Sequence, residues 1–220
     1  MSGDLETEYK FLVKNDDWKA IAPSAVKNIT QHYFPKTDDE IAPLNLKING
    51  ASAAITVNFS GQETILPIPQ DVLEAFGVDN LRKITNEHGE IIIDEGTEAR
   101  IRNSDGHYVL TIKAKTENIA SRRELEFPIS KDSALKLITH CPHSLAKIRH
   151  VLDIEGKKWE VDVFQGKNTG LVTAEIETDK IPDNLPDWIG KNITGIEKYS
   201  NQQLAKIPYS LWGRDDRGLS

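Results

Sequence analysis

Leu5-Glu6-Thr7-Glu8-Tyr9-Lys10-Phe11-Leu12-Val13, near the start of the chain, alternates charge with apolar bulk. Residues two apart on a β-strand share a face. Glu6, Glu8 and Lys10 therefore stand on one side, and Leu5, Tyr9, Phe11 and Val13 on the other. The pattern predicts an amphipathic strand whose polar face is fully charged.

Six further segments repeat this pattern. Arg100 and Arg102 flank Ile101, and Lys113 and Lys115 flank Ala114. Arg122, Glu124 and Glu126 alternate with Leu125 and Phe127, and strand parity favours Arg122 over Arg123. Lys147 and Arg149 flank Ile148, Glu160 and Asp162 alternate with Val161 and Val163, and Glu175 and Glu177 flank Ile176. The i, i+2 spacing sets each like-signed pair roughly 7 Å apart on one face. Such a pair repels by about 0.6 kcal/mol in water, and by about 2 kcal/mol at an effective dielectric of about 20. A solvated face would mix signs and interleave Thr, Ser and Gln. Carboxylate pairs without a partner imply a bound cation, and Lys/Arg pairs without a partner imply a bound polyanion.

Glu6-x-Glu8-x-Lys10-Phe-Leu-Val resembles the signature strand of the CYTH superfamily, the triphosphate tunnel metalloenzymes. The resemblance continues through Arg100-x-Arg102, Thr111-Ile112-Lys113, Ser121-Arg122-x-Glu124-x-Glu126 and Lys147-x-Arg149. It closes with Trp159-Glu160-Val161-Asp162-Val163-Phe164, Gly170-Leu171-Val172-x-Ala174-Glu175-x-Glu177 and Trp188-Ile189-Gly190-x-x-Ile193-Thr194-Gly195. It covers residues 1–35 and 96–208 in the family's order. Two positions depart from it: Lys198-Tyr199 stands where relatives often carry Arg-Tyr, and Ile29 where many carry a tunnel tyrosine.

The resemblance implies an α+β fold built on a closed antiparallel β-barrel with a charged lumen and outer helices. Strand sidedness points the same way, because every apolar strand face must be buried. It further implies that Arg100, Arg102, Lys113, Arg122, Lys147, Arg149 and Lys198 bind a triphosphate, arginine forks suiting its oxygens. Glu6, Glu8, Glu124, Glu126, Glu175 and Glu177 would hold Mg²⁺ or Mn²⁺, which prefer oxygen ligands, in a two-metal mechanism. Glu160 and Asp162 would stand behind these ligands. Catalysis would fall to Glu8 and Lys10, with Lys10 steadying the attacking water or the leaving oxygen. The implied activity is hydrolysis of inorganic tripolyphosphate to pyrophosphate and phosphate. Alternatives are a class IV-type adenylate cyclase, a phosphohydrolase of thiamine triphosphate, nucleotides or an RNA 5′-triphosphate, and a non-catalytic triphosphate receptor.

The 220 residues carry a net charge of −7, which argues against general nucleic-acid binding. Residues 36–95 hold four basic and eleven acidic residues, leaving 23 of each elsewhere, so the whole imbalance lies in that segment. It separates two strands that would otherwise form a simple hairpin, and reads as an inserted β-rich acidic module through which the chain could form a homo-oligomer. Within it, Leu44–Ile48 and Ala53–Phe59 predict strands about Asn49-Gly50, Pro69–Lys83 contains a helix ended by Gly77, and Glu90–Ile93 predicts a further strand. The run Gly61-x5-Pro67-Ile68-Pro69-x-x-Val72 resembles a swapped-hairpin barrel module that dimerises.

Elsewhere, Asn15 can cap a short helix over Asp16–Ala22, and Ser130 one from Lys131 to His140. Asp187–Ile189 predicts a short helix, and residues 209–220 form a tail that is mobile or packed outside. His140-Cys141-Pro142-His143 has the wrong spacing for a zinc finger and no fourth ligand; it reads as a helix end. A single cysteine, no apolar run long enough to span a bilayer and no signal-like leader lead to an expectation of a cytoplasmic enzyme acting on a small molecule.

Overall fold

The computed structural model describes residues 7–36, 44–49, 51–59, 62–93, 97–115 and 122–213. The chain divides into two compact units, Met1–Thr30 with Leu145–Ser220, and Gln31–Ser144. Strand β2 (Ala25–Tyr33) begins in the first and ends in the second. Both units are built on antiparallel strands with few and short helices.

In the first unit, β1 (Thr7–Val13) lies between β11 (Val172–Thr178) and β12 (Ile189–Asn192). The order continues from β11 through β10 (Lys157–Phe164) and β9 (His143–Ile154) to β2. The alternation of β1 sends Phe11 into a buried cluster with Trp18, Leu152, Trp159, Val161, Ala174, Ile176, Trp188 and Ile189. Trp159 is its centre, 6.0 Å from the Phe11 ring and edge-on to Trp188 at 5.8 Å. Residues 187–189 are not helical as expected. The Trp188 carbonyl accepts from the Lys14 N–H at 3.0 Å and Ile189 starts β12, so pairing with β1 overrides the local helical signal. Gly190 is required by this pairing: a Cβ there would stand 2.9 Å from the Leu12 carbonyl oxygen.

The expected helix after Asn15 shortens to a 3₁₀ turn, Asp17–Ala20, with the Asn15 carboxamide accepting from the Asp17 N–H at 3.1 Å. The chain beyond residue 208 is packed as far as it is described. Asn168, itself buried, donates to the Leu204 carbonyl at 3.1 Å and accepts from the Tyr209 N–H at 2.7 Å. Trp212 then packs edge-on against Tyr199 and Tyr209.

In the second unit, β6 (Thr97–Ser104), β7 (His107–Lys115) and β8 (Arg122–Pro128) form successive hairpins. Asp105 and Gly106, at φ 49° and 90°, make the left-handed two-residue turn between the first two. A second sheet contains β3 (Leu44–Asn49), β4 (Ser52–Phe59) and β5 (Gln62–Pro67). The expected helix is α1 (Gln70–Phe76), ended by Gly77 at φ 83° as expected, and a second short helix, α2 (Val78–Lys83), follows it. The expected strand at 90–93 is reduced to isolated bridges, Asn45 with Glu90 and Thr85 with Ile91. Helix α3 (Lys131–Ile138) has the expected cap, Ser130 accepting from the Ser133 N–H at 3.1 Å.

Among its described residues, the 36–95 segment has no separate core. Leu44, Ile55, Leu66, Leu73, Phe76, Leu81 and Ile91 share one buried cluster with Ile101, Leu110, Ile112, Leu125 and Phe127 of the hairpins and with Ala134 and Leu137 of α3.

Candidate active site

Each unit gathers its charge on the sheet face opposite its apolar cluster. In the first unit the register sets Lys10 opposite Glu175, Glu175 opposite Glu160, and Asp162 opposite Arg149. Glu175 and Glu160 face each other with like charge, and it is Lys10 and Arg149 that compensate them and Asp162. Lys10 Nζ lies 2.9 Å from Glu175. Arg149 Nη2 bridges Glu175 at 2.6 Å and Asp162 at 2.7 Å, its Nε takes the other Asp162 oxygen at 2.7 Å, and its Nη1 pairs with Glu160. Lys147, fully buried, donates to Asp162 at 2.5 Å and lies 5.6 Å from the Phe164 ring centroid. With no exposed surface and both carboxylate oxygens engaged, Asp162 is an anchor for two cations.

This network shifts the protonation equilibria. Burial works to raise Glu175, but Lys10, Lys147 and Arg149 outweigh it and hold the carboxyl at about 2. Burial pulls the Lys147 ammonium down, against the attraction of Asp162 and Glu175. Arg149 is also opposed by burial, yet its bonds to Asp162 and the surrounding carboxylates leave it raised.

Glu8 and Glu177 are the exception to this pairing. They stand directly opposite on β1 and β11, both exposed, and neither has an ion pair among the described residues. Like charges at opposed positions destabilise a sheet. Desolvation on the sheet face raises Glu8, and Glu175 raises it further, against Lys10, Arg149 and Lys147. Among the described residues no group of three or more His, Cys, Asp or Glu forms a ready cluster for a metal ion. The donor chemistry of Glu8 and Glu177 still fits Mg²⁺, which usually keeps several waters and takes one or two carboxylates together with substrate phosphates.

In the second unit, Lys113 lies 3.2 Å from Glu124, Arg100 3.3 Å from Glu98, and Arg102 2.9 Å from Glu126. Thr111 donates to the other Glu126 oxygen at 2.9 Å. The Arg100 Nε–H is buried without a hydrogen-bond partner in the described structure. The Tyr33 hydroxyl donates to Gln31 at 2.8 Å, and burial, with Glu98 nearby, pushes its ionisation well up. Glu124 and Glu126, expected as metal ligands, are thus engaged with cations of their own sheet. Glu98 was not singled out in the sequence, and Thr111 entered only as part of the Thr111-Ile112-Lys113 run with no role of its own, although strand parity with Arg100 and Lys113 places them on the same face.

Lys198 is held against aromatic rings, its Nζ 4.7 Å from the Trp212 centroid and 5.4 Å from that of Tyr199. Glu6 lies outside the described residues, and Arg122 is described only by its register position opposite Lys115. Cys141 has no nucleophilic setting: burial pushes its thiol up to about 12, and its Sγ lies 3.6 Å from the Leu137 carbonyl oxygen. The His140 ring contacts Thr139 at 3.0 Å. No described helix is long and apolar enough to cross a membrane.

Antiparallel strands with one face of register-matched charge define a class of strand-built sites for polyanions and cations. No protein-family model matches the chain. An inorganic triphosphatase of Acetivibrio thermocellus is 38% identical over 128 residues, which span 55% of this chain and 80% of that relative. The crystal structure of the inorganic triphosphatase NE1496 has the same fold at a TM-score of 0.50 and 19% identity, with 91% of this chain and 93% of that one covered. The chain belongs to the CYTH, or triphosphate tunnel, family.

Proposed function

We propose that this protein hydrolyses inorganic tripolyphosphate to pyrophosphate and phosphate with the help of a divalent cation, Mg²⁺ or Mn²⁺. The observation that carries the reading is the opposed, uncompensated Glu8–Glu177 pair on a sheet where the neighbouring described charges are matched. Its relative in Acetivibrio thermocellus, by name an inorganic triphosphatase, supports the same activity.

Glu8 and Glu177, with Glu6 as a third carboxylate by strand parity, would hold the cation. When bound, such a cation supplies charge neutralisation on phosphate oxygens and acidifies water. Arg100, Arg102 and Lys113 provide charged donors for the phosphate oxygens. Lys10, fixed by Glu175, stands two residues from Glu8 on the same face and can donate to a reacting oxygen. Arg149, fixed together with Lys147 on Asp162, bonds Glu175 and so keeps Lys10 in place. The closed barrel with a charged lumen is part of the same proposal, supported by the segregation of charge from apolar residues within each unit.

A panel of triphosphates with separated products tests the reading. Tripolyphosphate should be turned over faster than ATP, and pyrophosphate poorly. Cyclic AMP as the main product from ATP would move the assignment to a cyclase. Tight triphosphate binding without turnover would move it to a receptor.

A further inference from the structure

We infer that Thr111 and Glu126 are positioning residues that set the Arg102 guanidinium for the triphosphate, an assignment that rests on the triphosphatase reading. Across β6, β7 and β8, the register gives one row of Arg100, Thr111 and Glu126, and a second of Arg102, Val109 and Pro128. Arg102 does not pair within its own row. Its Nη2 crosses the middle strand diagonally to reach Glu126 Oε1 at 2.9 Å. Val109 and Thr111 are the residues it passes on that strand, and both are small and β-branched. Arg100, which shares a row with Glu126, pairs with Glu98 on its own strand instead.

The anchor for this crossing is Thr111. Its side chain has no exposed surface, and its hydroxyl donates to Glu126 Oε2 at 2.9 Å. With one oxygen held from below, the carboxylate presents the other to Arg102. Arg102 keeps about a third of its side chain exposed, and Glu126 is its only hydrogen-bond partner among the described residues. The other N–H groups of the planar fork remain available for phosphate oxygens, in a direction set by the first bond. Glu126 therefore acts on the substrate through Arg102 and not as a metal ligand.

The test combines kinetics with metal binding. Thr111→Val removes the hydroxyl at nearly constant volume and should raise KM for tripolyphosphate about three- to tenfold with kcat nearly unchanged, the loss of a bond made equally in ground and transition states. Thr111→Ser should restore KM. In an Arg102→Ala background, Thr111→Val should have no further effect. Calorimetric titration of the substrate-free protein with Mn²⁺ should give the same affinity for Glu126→Gln as for wild type. A loss of Mn²⁺ affinity in Glu126→Gln, or an unchanged KM in Thr111→Val, would overturn the assignment. Wild-type protein that neither binds nor turns over tripolyphosphate would overturn the triphosphatase reading beneath it, an outcome visible without any variant.

Discussion

Glu177 has the same spacing from Glu175 as Asp162 from Glu160, yet the two pairs have opposite fates. Asp162 is closed between Lys147 and Arg149, whereas Glu177 faces Glu8. Like-signed spacing was legible in the sequence; which pairs stay uncompensated was not, because that depends on the register of neighbouring strands. Glu177→Gln removes a repulsion and should leave the metal-free melting temperature unchanged or higher. It should also abolish the rise in melting temperature that Mn²⁺ gives the wild type through preferential binding to the native state. Unfolding of the metal-free variant would make Glu177 a structural partner. Glu175 titrates in the opposite sense from Glu8. Its folded pKa of about 2 lies below its ordinary 4.5, so its contribution to stability is present above about pH 4.5 and lost as pH falls through 2. Urea unfolding measured across this window should lose its pH dependence in part in Glu175→Gln, and an unchanged slope would show that Glu175 does not carry it.

At the scale of elements, alternation in β1, β6, β7, β10 and β11 was readable because a two-residue period survives without tertiary knowledge. The Asp105-Gly106 turn has a local cause, its left-handed backbone. The Ile189–Asn192 strand was not readable. Its four residues take their conformation from the edge of β1, and no local propensity reports that. Gly190 is the position where the pairing is most constrained. Gly190→Ala places a methyl group against the Leu12 backbone, which cannot rotate away. It should cost about 1–3 kcal/mol by denaturant unfolding, and a neutral substitution would mean that β12 is free to shift.

For the whole molecule, the acidic 36–95 segment was legible as an interruption of the family pattern and illegible as a packing partner. Charge and motif content marked it as separable, but its apolar residues close the cluster beneath Leu125 and Phe127. Burying a Leu, Ile or Phe is worth about 1.5–3 kcal/mol each, against a total stability of about 5–15 kcal/mol for a domain. A variant joining Pro35 to Gly96 should therefore be insoluble or lack a cooperative unfolding transition, as judged by circular dichroism. A soluble variant with a cooperative transition would show that the hairpins are covered adequately by α3 alone.

Phosphorus NMR of tripolyphosphate incubated with the purified chain and Mg²⁺ reads substrate, products and metal dependence in one experiment. Phosphate and pyrophosphate should appear in equal amounts, and turnover should stop on chelation of the metal and in Glu177→Gln. Unchanged tripolyphosphate with Mg²⁺ present, or hydrolysis that persists after chelation, would contradict the assignment of this chain as a metal-dependent tripolyphosphatase.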